Sequence, residues 1–387
     1  MANTLTNLVP DLYAALNVVS RELTGLIPSV TMDVSVARAA KGQTVRVPIA
    51  PANAAGEDIT PAMSIPSAAN QTISNAEITI SKSRAFPFSW NGIEERGLDT
   101  GGGYLPIRAQ QIAEAMRAAV NEIEADLASL QSTFSRAYGT ATSTPFGTAG
   151  DFTDASNVLR VLKDNGAPLS GNQLVVNTAA GANFIGKQGN SSVAFDDSLL
   201  KQGILQTVSG MNIRESGFIE TQTKGAMASA TTTAAALTVG QTVLPLATAG
   251  TGVVAAGDII TIANDTNKYV VTSVSFAGAN PASGDTVTIA APGLRVAQAS
   301  AAYAITVVGT SARNMAFNRS AIILATRMPE RPREGDMAID VMEISDPRTG
   351  LTFEVSMYPG HRMIRYEIAI AWGYANIKPA HTALLIG

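Results

Sequence analysis

The chain has 387 residues, a formal net charge of −4 and no cysteine. This charge excludes the strong basic surface typical of sequence-specific nucleic-acid binding, and the lack of cysteine excludes disulfides and thiolate chemistry. No apolar run approaches the roughly 20 residues that span a bilayer. The first residues lack a basic region followed by an apolar core, so we expect no secretory signal and synthesis in the cytoplasm.

The first 98 residues predict a short helix followed by a long β ribbon. Leu12, Leu16, Val19 and Leu23 share one helical face, and Gly25 fits the C-terminal cap. In the ribbon over 42–98, residues 44–49 form one arm. The returning arm starts at 78–80 and continues through the aromatic residues Phe86, Phe88 and Trp90. The tip over 50–75 has few large apolar residues, so we expect it to project from the subunit.

A rod-like helix is predicted from Leu105 to about Tyr138, with a length of about 50 Å. Seven apolar residues follow one another at steps of three or four and therefore share one stripe: Ile112, Met116, Val120, Ile123, Leu127, Leu130 and Phe134. Glu124 falls on the opposite, polar face. Packing in the subunit core explains the stripe more simply than a coiled-coil partner. We expect Gly101, Gly102 and Gly103, which precede the rod, to form a hinge.

After the rod, the pattern is that of a mixed α/β segment with a β insertion. We expect helices over 154–165 and 195–208, and strands at 174–177 and 212–214. Charge falls sharply from 222 to 310, where five short β-like runs alternate with turn residues, which is typical of a small barrel or sandwich. The runs are 242–244, 259–262, 269–271, 286–289 and 303–307.

Helix signal and charge return after 311, and the chain ends in a β meander. Alternating apolar residues run over 351–357 and 364–372, and Pro359-Gly360 is the predicted turn between them. Five arginines precede the meander and are interleaved with acids, which favours an ion-paired surface between subunits over a nucleic-acid patch. They are Arg313, Arg319, Arg327, Arg331 and Arg333.

Catalytic and ligand-binding patterns are weak. The run from Gly181 to Lys187 has the spacing of a phosphate-binding loop, but Gln188 stands where a hydroxyl should hold Mg²⁺, so an ordinary strand-to-helix loop is the better interpretation. His361 and His381 lack companions at metal-ligand spacing. Asp196-Asp197 fits the first turn of a helix better than a pair of catalytic acids. We therefore predict no catalytic residue, no cofactor and no metal.

Four stretches resemble segments of one known family. Residues 41–48 are similar to the strand that enters its extended loop, and 105–138 resemble its spine helix. Residues 202–211 resemble the helix-to-strand step in its axial domain. Residues 314–321 are similar to the segment where the chain of that family returns from the insertion. The family is the major capsid protein of tailed bacteriophages, whose fold is named for phage Hong Kong 97. The insertion is similar to that of podovirus-type coat proteins.

This resemblance implies an α+β, Hong Kong 97-like fold in six parts. The parts are the N-terminal arm (1–41), the extended loop and glycine hinge (42–103), the spine helix and peripheral region (104–150), the first axial part (151–221), the inserted β domain (222–310) and the axial and peripheral return with the meander (311–387). Its assembly residues would be the three hinge glycines and the seven stripe residues.

The implied function is structural. Subunits would form the hexamers and pentamers of an icosahedral shell in the virion, with scaffolding and portal proteins as partners. Contact with the packaged double-stranded DNA would be non-specific, and no membrane would be involved. Two other classes stay open at this point: a fibre or adhesin with a β head, although no internal β repeat is present, and a nucleotide-dependent enzyme acting through Gly181–Lys187.

Overall fold

The computed structural model describes residues 23–49, 61, 74–99, 104–148, 151–187 and 207–387. The fold is α+β, as predicted. Several predictions lie outside the described residues: the helix before Leu23, most of the ribbon tip, the hinge Gly101–Gly103, and Asp196-Asp197 with most of the predicted helix over 195–208.

The helices in the described residues are α1 (Gly92–Asp99), α2 (Tyr104–Ser129), α3 (Thr153–Asp164) and α4 (Thr178–Lys187). The segment 222–310 is called the inserted segment below, because the sequence predicts it to be an insertion. The strands before it are β1 (Thr31–Ala39), β2 (Thr44–Ile49), β3 (Ser74–Thr79), β4 (Lys82–Asn91), β5 (Arg136–Gly139), β6 (Asn172–Val176), β7 (Thr207–Val208) and β8 (Met211–Glu215). Short 3₁₀ turns occur at Ile27–Ser29, Leu130–Thr133, Arg319–Ala321 and Pro379–His381.

Strand β9 (Thr221–Gln222) leads into the inserted segment and pairs with β16. The strands within the segment are β10 (Ala230–Thr231), β11 (Val243–Pro245), β12 (Ile259–Ile262), β13 (Lys268–Ser275), β14 (Thr286–Ile289) and β15 (Ala304–Val307). The remaining strands are β16 (Ser311–Asn318), β17 (Ile322–Pro329), β18 (Asp340–Ser345), β19 (Thr352–Gly360), β20 (Met363–Asn376) and β21 (Thr382–Ile386). Each of the five β-like runs predicted between 222 and 310 overlaps one of the strands β11–β15.

All seven residues of the predicted stripe are buried, with Val120 and Leu130 the most exposed at 7% and 8%. Five of them lie on the long helix α2, while Leu130 lies in the 3₁₀ turn that follows it and Phe134 directly after that turn. The helix is shorter than predicted, since its 26 residues span about 39 Å. The hydroxyls of Ser129 and Thr133 donate to carbonyls three residues back, at 2.6 and 2.7 Å. The chain tightens into a 3₁₀ turn there, because such bonds compete with the α-helical ladder. Phe134 is already extended, and β5 follows.

A six-stranded sheet covers one side of α2. Its order is β1-β17-β20-β19-β18, and β4 pairs along the other edge of β20. The main hydrophobic core lies between this sheet and the helix, and its fully buried residues include Ile123, Phe353, Ile368 and Trp372. In this sheet the turn of the meander differs from the predicted Pro359-Gly360, because Gly360 pairs with Met363. The connecting residues are therefore His361 and Arg362, and Arg362 has a φ of 58°.

The predicted ribbon is real for β2 and β3, which pair from Thr44↔Thr79 to Ile49↔Ser74. The prediction that the returning arm continues beyond β3 is wrong. Strand β4 does not extend the ribbon but joins β20, and the chain then forms α1. Asn91 starts that helix: its side-chain oxygen accepts the N–H groups of Ile93 and Glu94, and the Glu94 carboxylate accepts the N–H of Asn91. This is a capping box, and the Asn-x-x-Glu spacing is a sequence signal for it.

A second sheet of 13 strands runs from the inserted segment into the rest of the chain without a break. The junction is the antiparallel pair β13–β5, with Lys268 opposite Ala137 and Tyr269 opposite Arg136. Beyond it, β21 lies parallel to β5. The inserted segment nevertheless has its own hydrophobic core of 16 buried residues, all between Met227 and Val307.

Two further predictions are corrected by this sheet and its helices. Residues Thr207–Val208 form strand β7 rather than the end of a helix, since they pair with Asn212 and Met211. The run from Gly181 to Lys187 is part of α4 and is not a loop. A phosphate-binding loop needs its glycines before the helix starts, so this geometry argues against a nucleotide site there.

Candidate assembly elements

The first candidate element is the polar junction between α2 and the six-stranded sheet. The ammonium of Lys82 on β4 lies 2.8 Å from the Asp126 carboxylate and 3.1 Å from the Glu122 carboxylate. The indole N–H of Trp372 donates to the other Asp126 oxygen at 2.8 Å. Burial lowers the pKa of Lys82, but the two carboxylates more than offset this and the net direction is upward. The junction therefore fixes the helix against β4 and β20.

The second element is a buried carboxylate in the middle of α2. Glu124 is 0% exposed, although the helical pattern places it on the polar face. Its oxygens accept the backbone N–H groups of Gly25 and Leu26, both at 2.7 Å, and of Ile27 at 2.9 Å. The Ser216 hydroxyl donates to it at 2.8 Å. Burial raises the pKa of this carboxyl and the four hydrogen bonds lower it, and the net direction is upward.

This arrangement joins three distant parts of the chain: the segment before β1, the middle of α2, and the loop after β8. Gly25 is required there, because a Cβ would lie 2.4 Å from the backbone oxygen of Glu215. Sequence reasoning missed the role of Glu124. A single acid among exposed helical positions carries no local signal for burial, since three of its partners lie 97–99 residues earlier and the fourth, Ser216, lies 92 residues later.

The third element is an ion-pair network on the face of the sheet opposite α2. The Glu354 carboxylate is buried on β19 and pairs with Arg331 at 2.9 Å and with Arg38 of β1 at 2.5 Å. Arg331 also reaches Asp336 at 3.5 Å, and the Tyr358 hydroxyl donates to Asp336 at 2.9 Å. These contacts hold β1 and the segment after β17 on the sheet.

The predicted arginine cluster is accordingly used inside the subunit. Arg327 pairs with Asp33 at 2.8 Å, and Arg319 donates to the Val30 carbonyl at 3.1 Å. Arg313 is buried, and burial lowers the pKa of its guanidinium to about 10. Two of the five arginines, Arg327 and Arg331, form ion pairs within the subunit. The predicted ion-paired surface between subunits stays a prediction.

The fourth element is the root of the inserted segment, where Arg136 of β5 is buried. Its guanidinium donates to the side-chain oxygens of Asn267 at 2.7 Å and Asn165 at 2.8 Å. It thereby joins the turn before β13 to the end of α3. Burial lowers the pKa of Arg136, and the neighbouring Arg295 adds to this effect.

The fifth element is the β2–β3 ribbon. Its base is anchored, because Ile78 and Ile80 are buried against Ile323, Ala325 and Ala371. Further out, the ribbon contains the ion pair Arg46–Glu77, at 3.3 Å, with side chains that are 68% and 52% exposed. In the described residues, β2 and β3 pair only with each other.

Large apolar side chains are exposed at the end of the six-stranded sheet that carries the His361-Arg362 turn. Ile93 is 87% exposed and Met337 is 78% exposed, while Ile339 and Met363 are about half exposed. They flank the turn on both sides, because Met363 pairs with Asn91 and the Ile339 N–H donates to the Met357 carbonyl.

The described residues contain no cluster of His, Asp and Glu suited to a metal ion. His361 lies in the meander turn and His381 in the 3₁₀ turn before β21, so the structure does not bring them together with such ligands. No helix in the described ranges is both long and apolar enough to cross a membrane.

No protein-family model matches the chain, and no curated protein matches it. Among solved structures, the chain is similar to one from Mycobacterium phage Che8, with 15% identity, a TM-score of 0.41, and coverage of 96% of this chain and 90% of that one. It is also similar to the capsid of cyanophage P-SCSP1u, with 11% identity, a TM-score of 0.47 and coverage of 95% and 89%. A third is the capsid of a native GTA particle, with 9% identity, a TM-score of 0.46 and coverage of 95% and 91%.

Proposed function

We propose that this chain is a major capsid protein that assembles into an icosahedral shell enclosing packaged double-stranded phage DNA. The observation that carries the proposal is the β2–β3 ribbon, which is anchored at its base and pairs with no third strand in the described residues. A two-stranded ribbon is at best marginally stable in water. Contact with a neighbouring subunit would bury it, and a closed symmetric shell supplies that contact to every copy.

The other elements fit a subunit that must stay rigid while the ribbon engages its neighbours. Helix α2 is fixed to the sheet by Lys82 and Asp126, and to the segment before β1 by Glu124. In this proposal Gly101–Gly103 form the hinge between α1 and α2. The seven stripe residues keep the rod in the core, and the inserted segment 222–310 braces or decorates the shell.

The exposed apolar residues Ile93 and Met337 support contacts between subunits, because large apolar patches on a soluble protein usually mark interaction sites. The copies would form hexamers and pentamers, with scaffolding and portal proteins as further partners. With a net charge of −4, the subunit would contact the packaged DNA without sequence specificity. Synthesis would take place in the host cytoplasm, and the protein would have no enzymatic role.

Assembly is tested by expressing the full chain, alone and with the other structural proteins of its phage. Sedimentation and negative-stain microscopy should show closed shells or capsomer-sized oligomers. Deleting 50–73, the residues predicted to form the tip of the ribbon, should leave folded subunits that do not form shells. A strictly monodisperse monomer under both conditions would contradict the proposal.

A further inference from the structure

A cleft of about 400 Å³ opens where three parts of the 13-stranded sheet meet. The carboxyl ends of the parallel strands β5 and β21 form its floor, and the turn between β12 and β13 forms one wall. Helix α3 forms another wall through Asp154 and Arg160. The carboxyl ends of parallel strands are frequent ligand sites in α/β folds.

Lys268 is one of the two cations that line this cleft. Its ammonium donates to the backbone carbonyl of Gly139. An ammonium has three donors, so two of them remain for another acceptor. No carboxylate in the described part of the chain forms an ion pair with Lys268. Burial lowers the pKa of Lys268, and no acidic neighbour counters that shift. A partly buried cation without a counter-ion is costly, and an anion would relieve that cost.

The carbonyl that holds this lysine is fixed in place. Gly139 has a φ of +110°, and a Cβ at this position would lie 2.3 Å from the Ile386 carbonyl oxygen. Glycine is therefore needed for β5 to end so close to β21. The group that holds the Lys268 ammonium at the strand ends is therefore a backbone carbonyl in a fixed position and not a mobile side chain.

The remaining charges of the cleft favour a negative ligand. Its lining contains two cations, Lys268 and Arg160, and one carboxylate, Asp154. That carboxylate keeps its negative charge while it accepts the N–H of Phe146 at 2.8 Å, so two positive charges and one negative charge leave the lining with a net charge of +1. The hydroxyls of Thr140, Ser143 and Thr266 also belong to lining residues, and that of Ser143 donates to the Thr140 carbonyl at 3.5 Å, a long bond that an oxyanion can replace.

We propose that this cleft binds a phosphate group, with Lys268 and Arg160 neutralising its charge and the neighbouring hydroxyls donating to its oxygens. Cations together with several neutral donors are the usual way to recognise such an oxyanion. The group can be free inorganic phosphate or a phosphodiester of nucleic acid, which present the same chemistry. The site is independent of the proposed shell assembly, because all of its residues belong to one subunit.

The test is calorimetric titration of the full-length protein with inorganic phosphate, at constant ionic strength set with chloride. The wild type should give a saturable binding curve. Lys268→Met keeps the stem of the side chain and should weaken binding at least tenfold. Lys163→Met removes an exposed charge from the same helix α3 outside the cleft and should bind like the wild type. No saturable phosphate binding, or equal binding by Lys268→Met, would overturn the proposal.

Because Lys268 also holds the Gly139 carbonyl, its replacement can disturb folding, and thermal melting of each variant controls for this. Arg160→Gln alters an exposed side chain and should weaken phosphate binding several-fold in a fully folded protein. Equal phosphate affinity in Arg160→Gln and wild type would contradict the role of the second cation. A parallel titration with a short DNA duplex distinguishes the two sources. Duplex binding that Lys268→Met abolishes identifies the phosphodiester, and duplex binding that the substitution leaves unchanged excludes it.

Discussion

The Glu124 carboxylate accepts the backbone N–H of Leu26 at 2.7 Å, across 98 residues of sequence. Three more donors complete its surroundings, and none of its surface is exposed. A buried carboxylate with this many donors is stable only while the segment before β1 stays against α2. The hydrogen bond therefore couples the position of that segment to the integrity of the long helix.

Glu124→Gln should destabilise the subunit by about 1–3 kcal/mol, the usual cost of leaving a buried donor without an acceptor. The glutamine amide keeps one acceptor oxygen. Its NH₂ group replaces the other carboxylate oxygen and therefore faces at least one backbone N–H, so that donor loses its acceptor. Denaturant unfolding of the full-length protein measures the change.

Glu122→Gln is the matched control for this prediction. Glu122 lies on the same helix and pairs with Lys82 and Arg84, but its side chain is 21% exposed and Arg84 is 59% exposed. Exposed ion pairs contribute about 0–1 kcal/mol, so this variant should lose less stability. Equal losses in both variants would show that Glu124 has no special role.

Leu127→Ala should cost about 2–5 kcal/mol, because the side chain is fully packed in the main core and the substitution leaves a cavity. This is a large share of the stability of an ordinary domain. The variant should be largely insoluble or should melt at a much lower temperature. Leu169→Ala is the control, since Leu169 is 75% exposed and its truncation should change stability by less than about 0.5 kcal/mol. A well-folded Leu127→Ala protein with wild-type melting would contradict the packing described above.

Gly102→Pro tests the proposed hinge between α1 and α2. Proline removes backbone freedom without removing a core side chain. We expect subunits that melt like the wild type but give few shells on a sucrose gradient. Gly102→Ala, which keeps the backbone N–H, should assemble better than the proline variant. If Gly102→Pro lowers the melting temperature as much as Leu127→Ala does, the glycines are structural and the hinge proposal is wrong.

The segment 222–310 should fold as an isolated fragment, because its 16-residue core lies entirely within it. Circular dichroism should show a β spectrum and a cooperative thermal transition. Tyr269→Ala should abolish that transition, since Tyr269 is fully buried and its hydroxyl donates to Asp265 at 2.6 Å. A random-coil spectrum of the unmodified fragment would mean that pairing of β13 with β5 is indispensable.

Local patterns were sufficient for the elements whose signal lies within a few residues. The seven stripe residues are buried, and every predicted strand of the inserted segment exists. Both predictions rest on apolar periodicity and turn residues, which are signals contained within a short stretch of sequence. The same applies to α3, predicted over 154–165 and observed at Thr153–Asp164. A local signal was overlooked at Asn91 and Glu94, where the capping box begins α1.

Tertiary structure alone decided the features that depend on distant partners. After α2 ends at Ser129, the chain turns and brings β5 beside β21 and β13, which are more than 100 residues away in sequence. Glu124 is buried because Gly25, Leu26, Ile27 and Ser216 surround it, and the Lys268 cleft exists only where strands from three parts of the chain end together. Periodicity identifies which side of a helix or strand is apolar. It carries no information about which distant segment will pack against that side. Both the buried carboxylate of Glu124 and the cleft at Lys268 result from the packing of such distant segments.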